Sequence, residues 1–333
     1  MKLPVRILLG VLCACLVLAM PFVLSSPSML GEVKWQLLDE MEGEDEGFLR
    51  YLLPRAYAEE AVEYELPIDF SAGMEPNPAL FTESGYEDAS IRVQMETREE
   101  DGVIWRIAWV EIASPTQLRT AIAGKKVTSN SSALVKSMAE KNNAVVALNG
   151  DYYSNDPNKT TFEYRMGEKV RAKTNQKKDI LIIDDQGDFH IVMAQAKKDQ
   201  QAALDAVAAE YTIVNAFTFG PALVRDGESL KMNKDYGYNP NGREPRAAIG
   251  QLDHLSYVMV IAEGRGESKG VTHQELADFM FLLGCQNAFN LDGGGSATLI
   301  YHGDYYNTLG GSPRSMSDMI YFATAVPPED WKE

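Results

Sequence analysis

Apolar positions along the chain change their spacing several times, and each change predicts an element. Val103, Trp105, Ile107 and Trp109 recur at every second residue, the period of a strand that turns one aromatic face to a core. The β-rich run Ile91 to Met95 precedes it. Ala144 to Leu148 is a short buried strand that ends on Asn149-Gly150-Asp151-Tyr152-Tyr153. Ile180 to Ile183 and Phe189 to Val192 flank Asp185-Gln186-Gly187-Asp188 and predict a hairpin. A second pair turns at Arg225-Asp226-Gly227-Glu228, and a third around His302-Gly303-Asp304. Helical spacing governs Leu134, Val135 and Met138 within Ser131 to Lys141, and an alanine-rich stretch favours helix from Gln201 to Glu210. Residues 155–178, with five lysines and two arginines, read as a polar surface excursion.

The last hundred residues carry the densest signal. Tyr257 to Ala262 is a strand, and Thr272-His273-Gln274-Glu275 is a capping box whose two side chains satisfy each other's backbone N–H groups. Leu276, Phe279, Met280 and Leu283 share one helical face, Gly284 stops the helix, and Ala288 to Leu291 forms the next strand. Strand, helix and strand predict a crossover with parallel pairing. Glu263-Gly264-Arg265 and Asp292-Gly293-Gly294-Gly295-Ser296 would then leave the sheet at the same edge. An Asp-Gly pair alone would suit a hairpin turn. Two further glycines cost roughly 0.5 to 1 kcal/mol each relative to Ala, which argues for a loop that brings its backbone close to an anion. Residues 232–245 form a long loop ahead of Arg246, whose place at the head of an apolar strand suggests a positioned guanidinium. Gly310 to Arg314 forms another loop, and Arg314, Ser315 and Asp318 are candidates for the same rim.

Charge and the N-terminus set the surroundings. The formal net charge of -17 argues against nucleic acid as a partner, because it repels phosphate backbones at long range. Lys2 and Arg6 precede eighteen uncharged residues, 7–24, which predicts a signal-anchor helix within residues 1–25. Its orientation makes a single-pass protein of the cell membrane with the bulk of the chain outside the cytoplasm. Between residues 31 and 65 eleven acidic side chains face three basic ones, so residues 26–87 read as an acidic stalk and residues 88–327 as the folded domain. Cys13 and Cys15 lie in the apolar segment, which leaves Cys285 alone in the exported part and excludes an internal disulfide there.

Several stretches together resemble the phosphodiester glycosidase family over roughly residues 140–325: ALNGDYY, GPALVRDG, EPRAAIG, the long run from Val260 to Leu299, and the late Arg314. The sequence departs from the family's usual pattern at Asp151, where a second Gly is common, at Ala247, where Thr is common, and at Glu263, where Asp is common. The resemblance implies an α+β fold, a mixed curved β-sheet with packed helices in one globular domain. It also implies hydrolysis of a sugar-1-phosphodiester at the glycosidic C–O bond in a cell-envelope or exopolysaccharide glycan. Such a reaction needs a carboxylate beside an oxocarbenium-like centre and cationic or N–H stabilisation of the departing phosphate. We assign Asp292, Glu263 and Arg265 as catalytic. Arg246 and Arg314 join Arg265 on phosphate, and Gly293, Gly294 and Gly295 supply an anion nest with Ser296. Asn149, Gly150, Asp151, Tyr152 and Tyr153 hold the sugar. No His-rich cluster or Asp-x-Asp spacing supports a metal site, and no cofactor is assigned, although a divalent cation fits the chemistry. Two other readings stay open on the residues alone. One is a non-catalytic module that binds phosphate-linked polysaccharide. The other is a metal-dependent phosphodiesterase that cuts P–O through Asp292, Asp151 and Glu263.

Overall fold

Along the strand Val103–Ile112 the buried positions are the odd ones in the first half and the even ones in the second. Val103, Trp105 and Ile107 pack with Leu276, Phe279 and Met280, while Ala108, Val110 and Ile112 enter a second cluster on the opposite face. The computed structural model describes residues 70–127, 131–151 and 161–331. The apolar segment 7–24, the greater part of the acidic stretch, Tyr152 and Tyr153 lie outside the described residues. Among the described residues no helix is long and apolar enough to cross a membrane.

An eight-stranded sheet carries the fold. Its strands run in the order Gly85–Glu87, Ile91–Glu100, Val103–Ile112, Ser256–Ala262, Arg246–Asp253, Asn287–Leu291, Ala222–Arg225 and Glu228–Ser229. A five-stranded sheet contains Ile180–Asp184, Ile213–Phe217 and Phe162–Arg165 at its centre, and another contains Leu299–Tyr301, Val146–Asn149 and Asp318–Phe322. Side chains from all three meet in one cluster, including Met259, Ile261 and Phe289, Leu148 and Ile320, and Leu181 and Phe217. Each fully buried Ile, Leu or Phe there contributes roughly 1.5–3 kcal/mol. Three α-helices complete the described residues: α1 (Val135–Lys141), α2 (Lys197–Glu210) and α3 (His273–Leu282). The ring of Trp105 stacks on Phe279 of α3 at 3.6 Å.

The expected α+β arrangement, a mixed sheet with packed helices, is corrected by this topology. Every strand pairing among the described residues is antiparallel, and helices are a minor component. The expected parallel pair is corrected for a specific reason. Arg246–Asp253 lies between Ser256–Ala262 and Asn287–Leu291 and pairs antiparallel with both. The two outer strands still point the same way, so their carboxyl ends share an edge, and the register sets Arg246 opposite Ala262 and Ala247 opposite Leu291. The capping box of α3 forms as expected: Glu275 N–H donates to Thr272 Oγ1 at 3.2 Å and Thr272 N–H donates to Glu275 Oε2 at 2.9 Å.

The stretch read as a polar excursion is instead partly core. Phe162–Arg165 and Glu168–Ala172 pair across Met166-Gly167, both at positive φ, the geometry of a tight two-residue turn. That hairpin carries Arg165 into full burial.

Candidate active site

Asp292 ends the strand Asn287–Leu291, and the chain then crosses to Leu299–Tyr301 in a different sheet. The loop between them is fixed from below by Asn149. Its Nδ2 donates to the carbonyl oxygens of Asp292 at 2.7 Å and Gly150 at 3.0 Å, and its Oδ1 accepts from Thr298 N–H at 3.0 Å. All its polar atoms are thereby engaged, and it is fully buried. Asn149 therefore holds the reacting loop rather than a sugar, which corrects the role expected for it. Gly150 is required by space: a β-carbon there would lie 2.4 Å from the carboxyl carbon of Asp318.

The glycines let two arginines close over the loop. A β-carbon on Gly294 would stand 3.1 Å from Arg265 Nη2, and one on Gly295 would stand 3.0 Å from Arg314 Cδ and 3.8 Å from Arg265 Nη1. Gly293 is shut in on its other side, where a β-carbon would meet the Pro245 carbonyl oxygen at 2.6 Å. Gly294 N–H donates to that same oxygen at 2.7 Å, so the expected nest of three free glycine N–H groups does not form. Cationic side chains take its place.

The arginines are not equivalent. Arg265, at φ +62°, is half exposed, and its Nε and Nη2 contact Glu244 Oε2 at 2.8 and 2.7 Å. Arg314 is exposed and has no ion pair among the described residues, yet its charge helps to lower the pKa of Asp292. Arg246 has a different fate. Its Nε donates to the Val271 carbonyl, Nη1 to the Tyr238 carbonyl and His273 Nε2, and Nη2 to the carbonyls of Asn239 and Gly242. Five acceptors use all five N–H groups of a guanidinium. Arg246 shapes the loop ahead of it and has no donor left for phosphate, a correction of its expected role. Burial lowers its pKa to about 10 and that of His273 to about 3, consistent with a neutral imidazole accepting from Arg246.

Burial is also the main influence on Asp292, whose pKa is pushed up to about 6. The Ser296 hydroxyl and the Arg314 charge oppose that rise, and the Asp151 charge adds to it.

Asp151 belongs to a buried layer behind the loop that also holds Asp318, expected at the rim, together with Glu163 and Arg165, which no sequence motif singled out. Arg165 Nη2 lies 2.6 Å from Asp151 Oδ1, 2.7 Å from Asp318 Oδ2 and 3.4 Å from Glu163 Oε2, and all four side chains are buried. The guanidinium also lies 4.0 Å from the centre of the Phe217 ring. Asp151 Oδ2 accepts from Thr218 N–H at 3.1 Å, so both its oxygens are occupied and it does not face a sugar. Three carboxylates around one cation leave an excess of negative charge, and burial with mutual repulsion raises the pKa values of Glu163 and Asp318. The alternating Phe162, Tyr164 and Met166, closed by Gly167, was the sequence signal for this hairpin.

Glu263 is likewise enclosed. Its Oε1 accepts from Arg106 Nε and from Thr308 N–H, each at 2.7 Å. The group tethers the loop leading to Arg314 and is removed from the role of a second sugar-side acid. Asp151, Glu263 and Asp292 therefore have separate partners, and they do not form the shared oxygen set that P–O cleavage on a metal would need. Among the described residues no group of three or more His, Cys, Asp or Glu is arranged to hold a metal ion.

The family model for phosphodiester glycosidase matches residues 142–323. A Bacillus subtilis protein described as the SPbeta prophage-derived uncharacterized protein YomE is 34% identical over 108 residues, 32% of this chain and 17% of that protein. The human N-acetylglucosamine-1-phosphodiester alpha-N-acetylglucosaminidase is 41% identical over 58 residues, 17% of this chain and 11% of the enzyme. The chain thus aligns with less than a fifth of the length of these curated relatives. Among solved structures, the catalytic domain of the zebrafish enzyme of that name, auto-inhibited by its pro-peptide, superposes with a TM-score of 0.56 at 18% identity, covering 76% of this chain and 86% of that one. A hypothetical protein from Synechocystis gives 0.54 at 16% identity, covering 70% and 62%. At these identities the structural matches show a shared fold.

Proposed function

Because the chain belongs to the phosphodiester glycosidase family, we propose that it hydrolyses a sugar 1-phosphodiester by breaking the glycosidic C–O bond. The observation that carries this reading is the loop itself: Asp292 is followed by three glycines, Arg265 and Arg314 close over the second and third of them, and the Arg314 charge acts on the Asp292 carboxylate. Water attacks the anomeric carbon, Asp292 takes the proton or steadies the cationic centre, and the bridging oxygen leaves with the phosphate. The leaving phosphate monoester is already a stable anion, with a second pKa of about 6, so cationic help matters more than a strong general acid. Arg314, unpaired among the described residues, and Arg265, already turned toward the loop by Glu244, supply that help. Glu263 and Asn149 position the two loops.

The activity for which the human relative is named makes an N-acetylglucosamine 1-phosphodiester the first substrate to try. Action outside the cytoplasm on a cell-envelope glycan is part of the same proposal. It is supported by the basic, then apolar, then acidic order of the N-terminal sequence.

Hydrolysis in oxygen-18 water tests the reaction. Label on the sugar C1 hydroxyl supports C–O cleavage, label on phosphate assigns P–O cleavage, and absence of turnover across a panel of sugar 1-phosphodiesters leaves a binding module. Asp292→Asn should abolish turnover while the melting temperature stays within a few degrees.

A further inference from the structure

A cavity of about 780 Å³ opens between residues 175–179, 193–194, 221–222, 230–233 and 235–238. Its contents differ from the character of the chain. The protein carries a net charge of -17, yet Lys177, Lys178 and Lys231 all line this cavity, together with the amides of Asn175 and Asn233. The acids on its wall do not cancel them evenly. Asp235 is exposed, whereas Asp179 directs both carboxylate oxygens to the backbone, accepting from Ala194 N–H at 2.7 Å and Ala222 N–H at 3.0 Å.

Lys178 is the built element. Its ammonium lies 4.3 Å from the centre of the Tyr236 ring and 4.1 Å from that of Tyr238, and it donates to the Phe219 carbonyl at 3.3 Å. Two aromatic faces desolvate the cation and fix its position, which favours a ligand bringing a full negative charge. Burial lowers its pKa to about 8, so it is still charged at neutral pH.

Tyr238 joins the cavity to the reaction site. Its ring stacks on Phe219 at 4.1 Å, its carbonyl is held by Arg246, and the residue is half exposed. The charges of Asp151, Asp292 and Glu163 all reach its phenol. One residue thus lines the lysine-rich cavity while its carbonyl is held by Arg246, whose Cα and Cδ lie 3.5 and 3.6 Å from a β-carbon placed on Gly293 of the Asp292 loop. An exposed ring held this rigidly is a platform for the apolar face of a sugar.

We propose that the cavity is a second anion subsite, which takes the next phosphate of a substrate made of repeating sugar phosphates, with Tyr238 supporting the sugar between the two phosphates. This rests on the glycosidase reading above and deepens it, from a single masked sugar to a phosphate-linked oligomer.

The test compares two ligands, N-acetylglucosamine 1-phosphate as its methyl diester and an oligomer carrying two such phosphodiester repeats. Binding to the full chain with Asp292→Asn, which prevents turnover, is followed by calorimetry. The two-phosphate ligand should bind about tenfold more tightly, the gain of one charge-assisted phosphate contact. Adding Lys178→Met should remove that advantage, whereas Lys234→Met, which alters an exposed lysine outside the cavity, should retain it. Equal affinities for the two ligands, or equal losses in both lysine variants, would overturn the subsite.

Amine acylation of Lys178 in the unsubstituted protein avoids any dependence on the variant's folding. Protection by the two-phosphate ligand at concentrations where the one-phosphate ligand gives none supports the proposal. Equal protection by inorganic phosphate would reduce the cavity to a general anion site and overturn it. Turnover of the one-phosphate diester with no advantage for the longer ligand would leave the glycosidase reading standing and remove the subsite. Tight Lys178-dependent binding without turnover of either ligand would do the reverse.

Discussion

The guanidinium of Arg265 occupies the space that a side chain on Gly294 would need, with Nη2 3.1 Å from the position of that missing β-carbon. Gly294 has φ +60°, a region in which a non-glycine residue costs roughly 1–2 kcal/mol. Gly294→Ala should therefore lower stability by about that amount and displace the arginine. At 3.1 Å the guanidinium has to give by a few tenths of an ångström, less than the misplacement of about 1 Å that costs on the order of 100-fold in rate, so sugar 1-phosphodiester kinetics should show kcat/KM reduced by up to about tenfold. Activity equal to that of the unsubstituted protein would mean that Arg265 takes no part.

The charge environment of Asp292 sets an acid limb. If its ionised form works, activity should rise with pH through about 6, the value to which burial pushes this carboxyl. Arg314 lowers that value and Asp151 raises it. Arg314→Met should then move the limb to higher pH, and Asp151→Asn should move it to lower pH. The opposite directions separate electrostatics from general damage, since a disturbed fold would not shift two pH profiles apart. Profiles that keep the same midpoint in both variants would remove Asp292 as the group being titrated.

Local patterns were readable in this sequence wherever one physical rule acted alone. Thr272 and Glu275 form their predicted box, Gly284 ends the helix region at φ +88°, and Asp226-Gly227 makes its two-residue turn at positive φ. The shared edge of Glu263-Gly264-Arg265 and Asp292 to Gly295 was also legible, because strand direction follows from a crossover helix. Strand neighbours were not. The hairpin partner Arg246–Asp253 occupies the place between the two strands, and nothing in either strand's own sequence announces it. The same limit affected the side chains. Arg246, Glu263, Asn149 and Asp151 have the chemistry of ligand-binding groups, yet each finds its partners within the fold, and those partners are up to 157 residues away.

Glu263 offers a test of positioning as distinct from catalysis. Its Oε1 holds Thr308 N–H and Arg106 together, and Thr308 lies on the approach to Arg314. Glu263→Gln keeps an acceptor of the same reach, while Glu263→Ala removes it and leaves a backbone N–H unsatisfied at a cost of about 1–3 kcal/mol. The alanine variant should raise KM more than it lowers kcat, and the glutamine variant should recover most of that loss. A large fall in kcat for both, with KM unchanged, would instead assign Glu263 a direct part in the chemistry.

The layer around Arg165 should be visible in stability rather than in rate. Arg165→Met strands three buried carboxylates, and breaking such a cluster typically costs about 3–5 kcal/mol. The carboxylates themselves act in the opposite direction. Burial and repulsion hold the pKa values of Glu163 and Asp318 above those of the unfolded chain. Groups raised in the folded state favour folding while both states are protonated, below about pH 4, and that advantage is lost as pH rises through the elevated folded values. The free energy of unfolding should accordingly decline from about pH 4 upward. Asp318→Asn, which cannot ionise, should flatten part of the decline, and denaturant melts at a series of pH values measure the slope. A slope unchanged by that substitution would show that the pH dependence arises elsewhere in this acidic chain.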